Sequence, residues 1–97
     1  MNFKFICQDS YEAEKLASIF ALQKDNTLFV SNIVRIIDNE VVVRLKDGSH
    51  HSIMFKDEIN SHELERFFKE LLSRKGQITD TKYVGDVAFI SLSESVT

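Results

Sequence analysis

The sequence has no proline, no tryptophan, one cysteine and only three glycines in 97 residues. Each shortage excludes something. With no proline and no low-complexity stretch there is no linker, so residues 1–97 are expected to form a single α+β domain. The lone Cys7 cannot close an internal disulfide, so nothing marks an oxidising compartment and a cytoplasmic setting is expected. Gly48, Gly76 and Gly85 are scattered, none in a phosphate-cradling loop, which disfavours a nucleotide-binding enzyme. No apolar run approaches the ~20 residues that a bilayer span needs. The opening Met1-Asn2-Phe3-Lys4-Phe5 lacks the apolar stretch and small-residue cleavage site of a leader, so no membrane association is expected.

What is present fits a small globular domain. Hydrophobic residues make up 43% and charged residues 28%, which argues against disorder. A chain this long can hold one core without metals or disulfides. The formal net charge of −3 favours solubility and counts against a nucleic-acid binder acting by bulk charge.

Periodicity sets the expected elements. Phe3 to Cys7 alternates as a short strand. Asp9 then caps a helix, with Glu12 placed to complete a capping box. Ala13, Leu16, Ala17 and Phe20 recur at helical spacing, widened by Ile19, and Lys24-Asp25-Asn26 ends the stripe. Three strands follow: Thr27 to Ile37 with a bulge near Ser31-Asn32, Val41 to Leu45, and Ser49 to Phe55. Asn60 reads as the cap of a second helix, with Glu63 as its reciprocal partner and Ile59 stapled to Leu64. That helix carries Leu64, Phe67, Phe68, Leu71 and Leu72, and Arg74, Lys75 and Gly76 suit its end. Gln77 to Lys82 reads as a polar loop. Tyr83 to Leu92 is apolar on both parities and reads as one inner strand covered on both sides. No internal repeat is evident, and the last five residues are expected to fray.

The order β-α-β-β-β-α-β predicts an α+β two-layer sandwich. Its mainly antiparallel sheet would have about five strands, with two helices on one face, in a ferredoxin-like split β-α-β variant.

Turn length decides which side chains share a face, because a one-residue slip exchanges the faces. A two-residue turn at Asp47-Gly48 would split the apolar set. A three-residue turn, Lys46-Asp47-Gly48 with Gly48 left-handed, pairs Val41 with Ile53 and Val43 with His51, and unites it. The expected inner face is then Val34, Ile36, Val41, Val43, Leu45, Ile53 and Phe55, packed on the helical stripes. The other parity holds Ile33, Arg35, Ile37, Val42, Arg44 and Met54, with His50 and Lys4 nearby. Apolar residues beside two arginines and a methionine are the composition of an interface, so these six are the candidate partner-binding residues.

Chemistry finds less support. His50 and His51 are adjacent in a strand and point to opposite faces, and no cysteine sits at ligand spacing, so no metal is expected. Cys7 falls on an inward face, where a thiol is inert. The second helix interleaves carboxylates with Lys and Arg, with Glu65–Lys69 and Glu70–Arg74 as expected pairs on a solvated face. Asp86, inside the apolar 83–92 stretch, is expected to mark a bulge or an edge, the alternative being an interface contact. The expectation is a non-enzymatic interaction or regulatory module without cofactor. It would bind a protein partner, or itself, through the outer sheet face, as an inhibitor or accessory factor would. The alternative is a single-stranded nucleic-acid binder using the same face, with Arg35, Arg44 and Lys4 beside Phe29. The glycine-containing signature of the RNA-recognition motif is missing.

Overall fold

The structure is a computed structural model that describes residues 1–22, 29–73 and 78–93. Eight elements follow in order: β1 (Asn2–Ile6), α1 (Ser10–Ala21), β2 (Val30–Ile37), β3 (Glu40–Leu45), β4 (His50–Met54), α2 (Glu58–Ser73), β5 (Ile78–Val84) and β6 (Val87–Leu92). The fold is α+β, but the expected single five-stranded ferredoxin-like sheet is replaced by two three-stranded antiparallel sheets, β2-β3-β4 and β1-β6-β5. The reason lies at Gly85-Asp86. Gly85 takes φ +58, so the apolar 83–92 stretch folds back on itself instead of running straight. The residues before it, Ile78 to Lys82, belong to strand β5 (Ile78–Val84) rather than to the expected loop.

The two sheets meet at a seam. Cys7 bridges antiparallel to Phe55, with Gln8 N donating to Met54 O and Lys56 N to Ile6 O, both at 3.0 Å. Two side chains complete it. Asn60 Oδ1 accepts from Ile6 N at 2.9 Å, and Glu12 Oε1 accepts from Met54 N at 2.7 Å. These bonds are reciprocal: Ile6 stands to Met54, Cys7 to Phe55 and Glu12 to Asn60 at a constant offset of 48 residues. The helix caps follow the same offset, Asp9 Oδ1 accepting from Glu12 N and Asp57 Oδ1 from Asn60 N. The hairpins repeat as well, with Asp38 (φ 52) matching Gly85 (φ 58), and buried Val41, Val43 and Leu45 matching Ala88, Ile90 and Leu92.

The chain therefore folds as two β-α-β-β units, β1-α1-β2-β3 and β4-α2-β5-β6. The first strand of each pairs with the hairpin of the other, β1 on β6 and β4 on β3. This corrects the expectation of no internal repeat. Identity survives only at Asp9/Asp57, Leu16/Leu64, Phe20/Phe68 and Leu45/Leu92 among the described residues.

The register across the β3–β4 turn is the expected one, Val41 opposite Ile53 and Val43 opposite His51, with Gly48 at φ +90. β2 differs. Its ladder shifts between Val30 and Asn32 and again between Ile33 and Arg35. The first shift is the expected bulge. The second carries Val34 out of the core, where it is 49% exposed, and turns Ile33 in against it. Ile33, expected outside, is thus an inner residue, and Val34, expected inside, is an outer one.

α1 begins as expected, with Asp9 as cap and Ala13, Leu16, Ala17, Ile19 and Phe20 buried. α2 begins earlier than expected. Asp57, not Asn60, is its cap, which places Asn60 within the first turn and directs its amide to the seam. Ile59 is 78% exposed and forms no staple, and Leu72 is also exposed. The helix stop at residues 24–26, residues 27–28 of the expected strand, Arg74, Lys75 and Gly76, and residues 94–97 lie outside the described residues.

One core runs under both sheets. Phe67 of α2 is its centre, meeting Phe20 of α1 edge-on at 5.0 Å and Phe3 and Phe5 of β1 at 5.2 and 5.6 Å. Such pairs add to the area term that dominates core stability. Because Phe67 sits in the second unit and its partners in the first, the core ties the units together.

The seam acceptors supply a test. Glu12→Ala and Asn60→Ala each leave a partly buried backbone N–H without its acceptor, at a cost of about 1–2 kcal/mol. Urea titration is expected to show a lower midpoint for each variant at unchanged slope. A midpoint equal to wild type would remove the seam from the account of stability.

Candidate functional site

An enzyme needs convergent groups in a concavity. The nearest approach to a catalytic cluster is at the β3–β4 turn. Ser49 Oγ donates to Asp47 Oδ1 at 2.6 Å and lies 3.1 Å from His51 Nε2. The serine, not the histidine, stands in the middle. Its proton goes to the aspartate, so it is not placed for the imidazole to draw off. The bonds from Ser49 hold the Asp47 carboxyl below the usual carboxylate range. This is an ordered turn and not an activated nucleophile.

Cys7 is fully buried, and burial first, then the charges of Glu12, Asp86 and Asp9, raise its thiol from 9.0 to about 12. Asp86 occupies the β5–β6 turn, where its carbonyl accepts from Cys7 N at 2.7 Å. His51 is half-buried at the inner edge, and His62 sits on α2 beside Glu58 and Glu65 at 3.6 and 3.9 Å. No group of three or more His, Cys, Asp or Glu among the described residues is placed to hold a metal. The same residues contain no helix long and apolar enough to cross a membrane.

Two shallow concavities adjoin each other among the described residues. One of about 310 Å³ lies between α1 and β5, lined by Ala17, Ser18, Ala21, Thr81, Lys82 and Tyr83. The other, about 260 Å³, continues it past Phe20 and Ile78. Tyr83 closes one side by donating from its hydroxyl to Glu14 Oε2 at 2.6 Å, which raises the phenol above its ordinary value.

The sheets' outer faces are the larger feature. On β2-β3-β4 the cross-strand rows are Asn32–Arg44–His50, Arg35–Val42–Ser52 and Ile37–Glu40–Met54. Five of the six expected partner-binding residues, Arg35, Ile37, Val42, Arg44 and Met54, come together here, and Ile33 does not. Glu40, the first residue of β3, lies among them. Its carboxylate accepts from Ser52 Oγ at 2.7 Å and stands 3.8 Å from Arg35.

The second sheet repeats this face with other residues. Its rows are Asn2–Ser91–Asp80, Lys4–Phe89–Lys82 and Ile6–Val87–Val84. Lys82 Nζ lies 5.8 Å from the Phe89 ring centre. Lys4 was expected near this surface; Phe89 and Lys82 were missed. The signal for them was the unused parity of the 87–92 run, visible only once a turn at Gly85 is accepted. Arg35 and Lys82, Val42 and Phe89, and Met54 and Ile6 hold equivalent positions in the two units.

The outer edges, β2 and β5, offer little to a partner strand. Both ladders are interrupted by bulges, and both carry charge, Arg35 on one and Asp80 and Lys82 on the other. Bulges and charges are what blunts an edge against pairing. Comparison with protein-family models, with curated proteins and with solved structures finds no match.

The buried thiol predicts that iodoacetamide at neutral pH labels the folded protein roughly a thousandfold or more slowly than the unfolded chain, since labelling must wait for opening. With its pKa raised on folding, Cys7 contributes stability that is complete below pH 9.0 and is lost as pH rises towards about 12. Rapid labelling of the native protein at neutral pH would place the thiol outside the core.

Proposed function

We propose that this chain is a small, non-enzymatic interaction module that binds a protein partner through its outer sheet face. The observation that carries the reading is the half-exposed apolar set on that face: Ile6, Ile37, Val42, Met54, Val84, Val87 and Phe89, spread over both sheets. Scattered apolar surface residues need no explanation, but apolar residues that share cross-strand rows with Arg and Lys have the composition of an interface. The bulged, charged edges of β2 and β5 and the shallowness of the two concavities beside α1 favour this face. An accessory factor or inhibitor that covers part of a larger protein needs nothing more. A reducing compartment such as the cytoplasm suits its lone thiol.

A second reading, binding of a single nucleic-acid strand, has one observation in its favour: Phe89 stands between Lys4 and Lys82, a stacking surface flanked by cations. It ranks second because one aromatic among seven apolar side chains is a poor platform for several bases, and Glu40 and Asp80 share the face.

Two substitutions separate face from core. Val42→Asp is expected to leave the fold intact and weaken association by about 2 kcal/mol or more, as for a residue at an interface centre. Ile33→Asp is expected to destabilise the protein by about 3 kcal/mol or more, because it puts a charge against the core. Thermal melts and comparative capture of cellular partners read the two effects. Retention of every captured partner by the Val42 variant would defeat the proposal.

A further inference from the structure

We infer that the partner surface is acidic: a protein segment in which carboxylates are set among apolar side chains. This rests on the outer sheet face being the binding surface and adds its charge. The chain as a whole has formal charge −3, with 15 acidic against 12 basic residues. Its outer ladders reverse that balance. They carry Lys4, Arg35, Arg44 and Lys82 against Glu40 and Asp80. Two of the three helix cations are committed within their own layer, Lys15 to Glu12 at 3.0 Å and Arg66 to Glu63 at 2.7 Å, while Lys69 has no carboxylate within ion-pair distance among the described residues. On the sheet face only Arg35 has a carboxylate within ion-pair distance. Among the described residues Lys4, Arg44 and Lys82 have none. An acidic chain that holds three cations without an ion-pair partner on this partly apolar face, against one such carboxylate, Asp80, presents a local potential that favours an anionic surface and speeds its approach.

The same charges argue against the other occupants. Two copies meeting face to face would bring these cations together, and like charges in an interface cost affinity. Stacking of this face on the helix layer of a second copy is a head-to-tail contact, which propagates into open assemblies unless the rotation closes a ring. A nucleic-acid strand would satisfy the cations but leave Ile6, Ile37, Met54 and Val87 without apolar partners. A protein segment supplies both.

The test uses the full chain, labelled for amide NMR at low salt, with three probes: a peptide alternating glutamate and leucine, its lysine counterpart, and oligothymidylate. The acidic peptide is expected to shift amides of β1, β3 and β6 and to weaken with added salt. The double variant Lys4→Glu, Lys82→Glu is expected to bind it about tenfold less tightly. Arg44→Glu acts in the same direction, and all these side chains are exposed, so unchanged melting temperatures certify the fold. Equal binding of the lysine peptide, or tighter binding of oligothymidylate, overturns the inference. If Val42→Asp abolishes capture of a cellular partner while the charge reversals leave it intact, the face stands and the acidic partner falls. If neither changes capture, both fall.

Discussion

Everything in this molecule hangs on a junction one residue pair wide. Cys7 and Phe55 bridge two sheets that otherwise share no strand, and only two backbone hydrogen bonds flank the bridge. Such a short ladder is weak alone, because each bond contributes only about 1 kcal/mol net. Glu12 and Asn60 extend it. Each uses the first turn of a helix to reach back to the strand of the opposite unit, and so fixes helix, strand and seam in one network. Behind it the Phe67 cluster joins α2 to both α1 and β1. The units are interlocked, since neither contains a partner for its own first strand.

That interlocking shapes the surface. Exchanging first strands buries both helices' apolar stripes under one continuous core and leaves the other side of both sheets uncovered. The bulges that blunt β2 and β5 also decide which side chains reach that side. Val34 moves out and Ile33 in because the second bulge of β2 adds one residue to that strand, which is also why the offset between units changes from 48 to 47 along the hairpins. A surface with Val42 and Phe89 at equivalent central positions, edged by Arg35 and Lys82, follows from the two-unit plan and not from either unit alone.

Much of the local structure was legible beforehand, for identifiable reasons. The three-residue turn at Gly48 follows from requiring Val41, Val43, Ile53 and Phe55 to share a face, and a register error there would expose all of them. Asp9 and the stripe from Ala13 to Phe20 carry α1 without ambiguity. The errors have physical causes too. Asn60 has the chemistry of a cap, and Asp57 three residues earlier has it equally; packing Ser61 and Leu64 into the core selected the earlier start. The stretch from Tyr83 to Leu92 has β-propensity on both sides of Gly85-Asp86, and that pair, a two-residue hairpin signal, reads as a bulge or an edge when the whole stretch is assigned to one strand. Of the candidate face, Arg35, Ile37, Val42, Arg44 and Met54 were readable from parity, whereas Phe89 and Lys82 were hidden by that missed turn.

Propensity, parity and capping, which act over a few residues, were enough to determine the helices, the meander from β2 to β4 and most of the buried set. Pairing of β1 with β6, the seam at Cys7 and Phe55, and the repeat of one plan in two dissimilar halves were decided only by tertiary structure. Strand partners separated by most of the chain leave no periodic trace in sequence. What selects them is the fit of a shared core and the satisfaction of two backbone donors, at Ile6 and Met54, by side chains more than forty residues away.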